Sequence, residues 1–462
     1  MHSDFFDSAV GAVRALTRSA DSFDIIERDI ILGERRGVLF YVNGLVNTEI
    51  LEKLLEFWLS HHDDATLDAD VFAARYVPYG EVTLKESSPA IAEEVLSGMV
   101  GLYLEGFSRW ISIDIRSYPQ RQTSEPEDDK VLRGSKDGFV ETVIFNLALI
   151  RRRIRDRNLV TRAYRVGRES KTDVILCYMD GVADSTLVEN LDRRIREIDL
   201  PSIRMNQQSI IEALYRKRWL NPFPKVKYTE RPDVAAAVCM KGNIVILVDN
   251  SPSAILIPTS VFDLIEEADD YYFPPITGTY IRLARHLITL SSVILTPLWL
   301  LCLQNPNHVP AMFTFVLVTE PVNLPIFWQL ILIEVGIDGL RLATMHTPNS
   351  MTSAIGIIGA IAFSQFGIDT GWFTTASVLY MAFVTIANNC QPNYELGYSL
   401  KYVRILLLTL TYLLNLVGFI IGLVVIFILL LTNRTLSGKS YLYPLIPLKP
   451  RELVRKLTRT RM

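Results

Sequence analysis

Three ionisable residues, Glu334, Asp338 and Arg341, interrupt a very apolar stretch of the sequence, LPIFWQLILIEVGIDGLRLA. Their spacings of four and then three residues place all three side chains on one face of a helix. An ionisable group at membrane depth costs roughly 3 kcal/mol even on lenient insertion scales, so it rarely faces lipid. Two interpretations follow: an intrahelical ion-pair ladder that only locks helices together, or a polar pathway or gate. Both require a membrane protein.

A second set of residues is small and mildly polar rather than charged. Its members recur at helical spacing and are Ser353, Gly356, Ala360, Ser364 and Gly367. Small residues let helices approach closely in lipid, which is the ordinary explanation for such a stripe. If the helix faces a symmetry axis, however, the stripe would line a narrow pore, because a conduction path needs a surface that lets ions keep some water.

The cysteines and histidines predict no metal site. The four cysteines, Cys177, Cys239, Cys302 and Cys390, are far apart and form no CxxC pair. This distribution argues against a disulfide framework or a zinc site and fits a reducing compartment. A cluster of four polar residues, His61, His62, Asp63 and Asp64, follows a predicted helix and is interpreted as a solvated turn.

No pattern in the sequence predicts catalysis. A phosphate loop, a GxGxxG motif and a nucleophile–base arrangement are all absent from the sequence, so we expect neither an enzyme nor a cofactor. Five arginines end a predicted helix at residues 140–157, and they are Arg151, Arg152, Arg153, Arg155 and Arg157. We interpret them as a solvated basic end, with a contact to an acidic neighbour or to lipid headgroups as the alternative. Nucleic-acid binding is not expected, since no aromatic stripe accompanies the charge.

Polar and apolar residues are segregated along the 462-residue chain, of which 49% is hydrophobic and 21% charged. We predict a multi-domain α/β protein with an α-helical membrane domain. Two duplicated cytoplasmic α/β sub-domains are followed by a bundle of about 4–5 membrane helices. The predicted boundaries are 1–133 for the first sub-domain with its linker, 134–273 for the second, 274–433 for the membrane domain and 434–462 for a basic tail.

The duplication rests on two stretches that share a pattern, VLFYVNGLVNTEILEKL at residues 38–54 and ILCYMDGVADSTLVENL at residues 175–191. In each, a strand runs into Asn-Gly or Asp-Gly, and a Thr or Ser then precedes an amphipathic helix as its N-cap. We predict two units with the order strand, helix, strand, helix, strand, strand. The second halves also align, and they place Gly98 on Gly242, Leu102 on Ile246 and Glu105 on Asp249.

The polar stretch 119–136 is typical of a linker between the two units. Two sub-domains side by side favour a cleft, a common place for small ligands, although a rigid assembly platform explains them equally well. The amino terminus, MHSDFFDSAVGAVRAL, has an acidic start and no sustained apolar core, so no signal peptide is predicted. We therefore expect the soluble region in the cytoplasm.

Five apolar segments are predicted in the membrane domain, at residues 287–303, 324–343, 352–368, 372–387 and 405–431. As a straight helix the last would be about 40 Å long, so it should tilt or project. Arginines before the first segment and in the basic tail both favour the cytoplasmic side, which an odd number of crossings does not allow. We therefore interpret the short segment 372–387 as re-entrant, which leaves four full crossings.

With these features in place, the sequence resembles a known family. The stretch GSKDGFVETVIFNLALIRRRIRDRNL at residues 134–159 resembles the signature of the spore germination GerA family, the A subunits of nutrient germinant receptors. The resemblance continues through IEVGIDGLRLA, GIIGAIAFSQ, QPNYELGYSLKYVR and SYLYPLIPLKP, and so covers nearly the whole chain. The third of these stretches follows the short segment and contains Gln391, Pro392, Tyr394 and Glu395. The short amino terminus and the wording IDGLRLA are similar to the stage V sporulation protein AF branch.

The resemblance implies a multi-pass protein of the endospore inner membrane and a subunit of an oligomeric channel, with a pentamer as the family expectation. Opening of the channel would release monovalent cations. Receptor A subunits work beside a transporter-like B subunit and a lipoprotein C subunit, whereas the AF branch resembles an amplifier with a small membrane partner. Asp338 and Gly339 depart from the receptor wording, which puts a receptor role in doubt. A secondary transporter subunit and a non-conducting scaffold for germination proteins remain alternatives.

Overall fold

The computed structural model describes residues 2–60, 68–78, 80–118, 134–215, 221–267, 269–345, 347 and 349–459. The chain divides into two compact units: residues 1–217 with 226–258, and residues 218–225 with 259–462. The division at residue 258 precedes the predicted boundary at 273, and the predicted domain boundaries stay predictions. The predicted turn at His61, His62, Asp63 and Asp64 and most of the predicted linker lie outside the described residues.

The first unit contains two five-stranded sheets with helices. Its first half consists of α1 (His2–Thr17), β1 (Ile25–Leu32), β2 (Arg35–Val42), α2 (Thr48–Ser60), α3 (Ala69–Tyr76), β3 (Glu81–Lys85), α4 (Ser88–Leu96), β4 (Val100–Leu104) and β5 (Trp110–Asp114). Its second half consists of α5 (Val143–Arg153), β6 (Leu159–Val166), β7 (Thr172–Met179), α6 (Ser185–Arg196), α7 (Asn206–Leu214), β8 (Lys227–Thr229), α8 (Pro232–Met240), β9 (Ile244–Val248) and β10 (Ala254–Ile257). The strand orders, β1-β2-β4-β5-β3 and β6-β7-β9-β10-β8, are equivalent.

The strand register confirms the duplication. In the first sheet Leu39 lies opposite Leu102, and in the second Leu176 lies opposite Ile246, as the alignment predicts. Gly98 and Gly242 have φ angles of 100° and 96°, so both occupy a backbone conformation that L side chains rarely adopt. Each sheet also has a first strand, β1 or β6, that the predicted order does not include.

The predicted N-caps are wrong by one residue. The side chain of Asn47 accepts a hydrogen bond from the amide of Ile50 at 3.1 Å, and that of Asp184 accepts one from the amide of Thr186 at 3.1 Å. The caps are therefore the residues just before Thr48 and Ser185. Asn and Asp cap a helix as well as Ser and Thr do, so residue type alone does not decide between neighbouring candidates.

One arginine of the predicted basic helix end is buried and joins the two halves. Arg151 donates from Nε to Asp24 Oδ2 at 2.6 Å and from Nη2 to Asp24 Oδ1 at 2.9 Å, and both side chains are almost fully buried. Thr161 Oγ1 donates to Asp24 at 2.7 Å, and Arg151 also donates to the carbonyl of Leu159 at 3.0 Å. At this position the solvated interpretation is wrong, because a carboxylate from the other half of the unit supplies the partner.

The second unit is helical. Its helices are α9 (Val261–Ile265), α10 (Asp269–Tyr272), α11 (Pro275–Gln304), α12 (Ile326–Met345), α13 (Asn349–Ile361), α14 (Gly367–Asp369), α15 (Thr375–Asn389), α16 (Tyr394–Thr432) and α17 (Pro450–Leu457). A π-helical segment, Ala362–Phe366, joins α13 to α14. Among the described helices, three are long and apolar enough to cross a membrane: α11, α16 and the stretch Met351–Asp369. The predicted number of crossings stays a prediction.

The last apolar segment is not one straight helix, which corrects the expectation of a 40 Å rod. At Asn415, with φ 55° and ψ −136°, α16 breaks into two arms. A side chain at Gly418 would meet the carbonyl of Leu410, and one at Gly422 would meet Leu407, so the second arm packs back along the first. The predicted segment at residues 405–431 is therefore interrupted at Asn415, which forms the tip of a helical hairpin.

Polar contacts at both ends of the hairpin explain its geometry. At the tip, the amide side chains of Asn305 and Asn415 donate to each other at 2.6 and 3.3 Å. At the open end, Ser399 Oγ donates to the carbonyl of Pro222 at 2.5 Å, and Asn433 donates to the carbonyl of Phe223 at 3.4 Å. With φ 55° and ψ −136°, Asn415 adopts a backbone conformation that L side chains rarely adopt, and the contacts at the tip hold it there.

The joint between the halves of the first unit predicts a large effect of Arg151→Met. Removing the guanidinium leaves Asp24 buried without its cation, which destabilises by about 3–5 kcal/mol. Thermal unfolding of the purified full chain, followed by circular dichroism, measures the loss. Arg165→Met is the matched control, since its side chain is 79% exposed and its pair with Asp173 is solvated. Equal melting of the two variants would contradict a structural role for the buried pair.

Candidate functional site

The candidate site lies where α12 packs against the first arm of α16. The two helices run in opposite directions: near one end the rings of Phe327 and Tyr412 stack with centroids 4.3 Å apart. Near the other end the guanidinium of Arg341 lies 5.5 Å from the ring centroid of Tyr398. Glu334 and Asp338 lie between these contacts, one turn apart on α12, and face the neighbouring helix.

The partners of these two carboxylates come from α16. Lys401 Nζ lies 3.0 Å from Glu334 Oε1 and also forms an ion pair with Asp338. Arg404 Nη2 donates to Glu334 Oε2 at 2.6 Å. A third helix contributes through its backbone, because Arg404 Nη1 donates to the carbonyl of Ser292 in α11 at 3.1 Å. We call Glu334, Asp338, Lys401 and Arg404 the ion network.

Three of the four side chains of the ion network are buried, and its formal charge is balanced. The side chains of Arg404, Lys401 and Glu334 are 3%, 9% and 10% exposed, whereas Asp338 is 37% exposed. Two carboxylates face two cations, so no charge remains uncompensated within it. Such a cluster is expensive to bury but holds its helices in a defined register, because removing one partner leaves another charge unpaired.

Arg341 does not belong to this network. It donates to the side chain of Asn389 at the end of α15 and lies over Tyr398. Among the described residues, the ion pairs of Glu334 and Asp338 join α12 to α16 rather than run along α12. The interpretation as an intrahelical ladder is therefore wrong, because both cations come from a neighbouring helix that the sequence alone does not identify.

Sequence reasoning missed Lys401 and Arg404. Both lie in the motif QPNYELGYSLKYVR, and the predicted apolar segment begins at Ile405, just after Arg404. The signal that singled out Glu334 also applies here: two ionisable residues three apart, on one helix face, next to a long apolar run.

The other residues of that motif lie near the start of α16. Gln391 is buried and accepts a hydrogen bond from Thr289 of α11 at 3.0 Å, and it donates to the carbonyl of Ala387 at 3.1 Å. Pro392 follows it, ahead of the helix. Tyr394 is 63% exposed and Glu395 lies in the first turn of the helix, where a carboxylate suits the helix dipole. Gln391 thus links α15 and α11.

The small residues of α13 lie on an open surface of the chain. Ser353 and Ala360 are exposed, and a side chain built at Gly356 meets no atom within 4 Å among the described residues. Ser364 lies in the π-helical segment, where its hydroxyl donates to the carbonyl of Ala360 at 2.6 Å. Gly367 is separated from the others, because it is buried against Phe373. We call Ser353, Gly356 and Ala360 the open face.

The wider turn of the π-helical segment explains why Gly367 leaves the stripe. Five residues of π-helix rotate the chain less per residue than an α-helix does, so the spacing that aligns Gly367 with Ala360 in an α-helix no longer aligns them. A π-turn of this kind is also frequent at functional positions.

Helix α12 connects the ion network to the open face. On the side of α12 away from Glu334 and Asp338, Gly336 lies against the ring of Phe363 and Leu340 lies against Gly359. These two close contacts seat α13 on α12. The ion network therefore fixes the helix on which the open face rests.

The ion network is an electrostatic site that holds three helices together. Among the described residues, no group of three His, Cys, Asp or Glu side chains lies close enough together to hold a metal ion. Cys177 and Cys239 are buried in the first unit, where burial raises the pKa of the Cys239 thiol to about 12. Such thiols are poor nucleophiles at neutral pH.

Comparison with known proteins gives a consistent result. The family described as Bacillus/Clostridium GerA spore germination protein matches residues 14–462. The chain is 34% identical to stage V sporulation protein AF of Bacillus subtilis (strain 168), over 99% of this chain and 92% of that protein. It is 27% identical to spore germination protein KA of the same organism, over 92% of this chain and 79% of that protein.

One solved structure is also similar, the N-terminal domain of the A subunit of the Bacillus megaterium spore germinant receptor GerK3. Its TM-score is 0.40 at 25% sequence identity, and the match covers 54% of this chain and 92% of that one.

The geometry of the ion network predicts different effects for its two nearby arginines. Arg404→Met removes one partner of the buried Glu334, so it destabilises the helical unit by about 3–5 kcal/mol. Arg341→Met removes a partly exposed cation with amide and ring partners, and its effect is about 1 kcal/mol. Protein abundance in the membrane and the melting temperature in detergent measure both.

A double variant, Arg404→Met with Glu334→Gln, separates the ion pair from simple loss of volume. Neutralising Glu334 leaves one carboxylate, Asp338, facing one cation, Lys401, so the restored charge balance recovers part of the stability. If the double variant is less stable than Arg404→Met alone, the pairing of Arg404 with Glu334 does not stabilise the unit.

Proposed function

The chain belongs to the GerA family of spore germination proteins, and we propose that it is a membrane subunit of a spore germination complex that forms an oligomeric ion channel. Its opening releases monovalent cations during exit from dormancy, either in a role like that of a receptor A subunit or as an amplifier of receptor signalling. The family expectation is a homopentamer, and in that assembly the open face would lie next to the symmetry axis.

The open face is the observation that carries this proposal. It lies in the stretch Met351–Asp369, which is apolar enough to span a membrane and has none of its most apolar residues buried within the chain. Large apolar side chains such as Ile357 and Ile358 are 61% and 68% exposed on the same helix. Lipid suits those side chains, whereas small residues let neighbouring copies approach and let ions keep part of their water.

The ion network supports a gate rather than a conduction path. It holds α12 against α16 through balanced and almost dry charges, and α13 rests on α12. A displacement of α12 relative to α16 breaks ion pairs and moves the open face at the same time. The ion network therefore stabilises the closed arrangement, and through α12 it sets the position of α13.

The proposed location is the inner membrane of the endospore, with the α/β unit and the basic tail on the cytoplasmic side. The hairpin in α16 supports this orientation, because its two arms bring the chain back to the end from which α16 starts. Other spore germination membrane proteins are the proposed partners.

Two substitutions at Ala360 test the channel. Ala360→Leu places a larger apolar side chain on the open face, so it constricts the path and lowers cation flux through liposomes by at least tenfold. Ala360→Ser adds a hydroxyl at similar size, eases hydration and raises spontaneous flux several-fold. Flux of potassium through liposomes that contain equal amounts of purified full chain is the measurement, followed by ion release in sporulating cells.

Ile358 provides the control on the same helix. Ile358→Leu changes a 68% exposed side chain on the other side of α13 and leaves flux as in the parent. If both Ala360 variants conduct like the parent, or both only lose the protein from the membrane while Ile358→Leu does not, the small residues serve packing and the channel proposal fails at this helix.

A further inference from the structure

The segment after α16 carries both cations and exposed apolar side chains. Leu445, Leu448 and Val454 are 41%, 64% and 55% exposed. Arg451 and Arg455 are exposed on α17, and among the described residues neither has a carboxylate partner. On a helix, residues 451, 454 and 455 share one side. We call Leu445, Leu448, Arg451, Val454 and Arg455 the tail face.

The opposite side of α17 is anchored by a partly buried cation. Lys456 forms ion pairs with Asp263 and, at 3.3 Å, with Glu266. Burial opposes the charge of Lys456, but the two carboxylates outweigh it and raise the pKa of its ammonium well above the usual value. Lys456 thus stays charged and fixes which side of α17 faces the rest of the unit.

The end of α17 is anchored as well. Arg282, which is almost fully buried, donates to the carbonyls of Lys456 and Thr458 at 3.3 and 3.4 Å and also pairs with Asp270 at 3.3 Å. These carbonyls belong to the last turn of α17, which has no intrahelical partners for them. Arg459 then donates to the carbonyl of Tyr271 at 2.5 Å. Three arginine and lysine side chains therefore hold the tail in one orientation.

These contacts place the end of α17 beside the start of α11. A side chain at Gly278 would meet that of Arg459, so the tail lies against this turn of the helix. Ile276 and Tyr280, on the same part of α11, are 87% and 72% exposed. An aromatic and an apolar side chain at the end of an apolar helix are typical of the boundary between lipid headgroups and acyl chains.

We propose that the tail face is a docking surface for the anionic leaflet of a membrane, with Arg451 and Arg455 on phospholipid headgroups and Leu445, Leu448 and Val454 at the acyl boundary. Leucine beside arginine on one face is the composition of interfacial elements, whose binding combines apolar burial with attraction to anionic lipid. The tail follows the apolar helix α16 in sequence, and the end of α17 packs beside the start of the apolar helix α11. This inference does not depend on ion conduction.

Lipid binding to the purified full chain tests the proposal. The chain in a neutral detergent is titrated with phosphatidylglycerol or with phosphatidylcholine, and bound lipid is counted by native mass spectrometry. Each cation near an anionic surface contributes enough that Arg451→Gln with Arg455→Gln weakens phosphatidylglycerol binding on the order of 30-fold. Binding of phosphatidylcholine stays unchanged.

The matched control removes two exposed arginines from the first unit. Arg165→Gln with Arg168→Gln, at side chains 79% and 69% exposed, leaves phosphatidylglycerol binding as in the parent. Lys456→Met releases the anchor and weakens phosphatidylglycerol binding although both tail arginines remain. The double arginine variant is a surface change, so it tests the proposal even where Lys456→Met does not fold.

Three results would overturn the inference. Equal phosphatidylglycerol binding by parent and double variant leaves the tail face free for some other partner. Equal loss of both lipids shows that the arginines recognise no headgroup charge. Full competition by inorganic phosphate shows a site for a free anion instead of a lipid surface.

Discussion

The burial of Glu334 and Arg404 between two apolar helices is the constraint on which the helical unit depends. Each charge loses its water, and the loss is compensated only if the partner stands within hydrogen-bonding distance and the remaining donors are also satisfied. Arg404 meets this condition through Glu334 and the carbonyl of Ser292. A shift of α12 by one residue would turn Glu334 away from Arg404 and leave both charges in an apolar environment. The network therefore selects one register among the many that apolar packing alone would allow.

The register of α12 also sets the position of α13, because α12 makes specific contacts on two opposite sides. Lys401 and Arg404 contact one side, while Phe363 packs at Gly336 and Gly359 packs at Leu340 on the other. Glycine permits these approaches only in one alignment, since any side chain there would collide. The open face at Ala360 is thus positioned by charges that lie on the far side of a neighbouring helix. The π-helical segment limits the face, because it rotates Gly367 into contact with Phe373.

The features that sequence reasoning predicted are those with a local physical signature. Gly98 and Gly242 mark equivalent turns that need positive φ, so the alignment around them fixes the register of two sheets. The partners of Glu334 lack such a signature, because helical spacing tells which residues share a face but not which helix lies opposite. The break at Asn415 is similar: a lone Asn in an apolar run gives no turn pattern, and its partner, Asn305, is 110 residues away.

Buried arginines in both units share one geometry, and it explains why arginine occupies these positions. Arg151 binds Asp24 and the carbonyl of Leu159, Arg282 binds Asp270 and carbonyls of α17, and Arg404 binds Glu334 and the carbonyl of Ser292. In each case one planar guanidinium connects a carboxylate to main chain from another segment. Its five donors point in fixed directions, whereas lysine has a compact charge with three rotating donors. A buried lysine can bridge two carboxylates, as Lys401 does, but its ammonium does not hold a carboxylate and a distant backbone in one plane. Arginine at these positions thus links segments that are far apart in sequence, and the link is strongest where water is excluded.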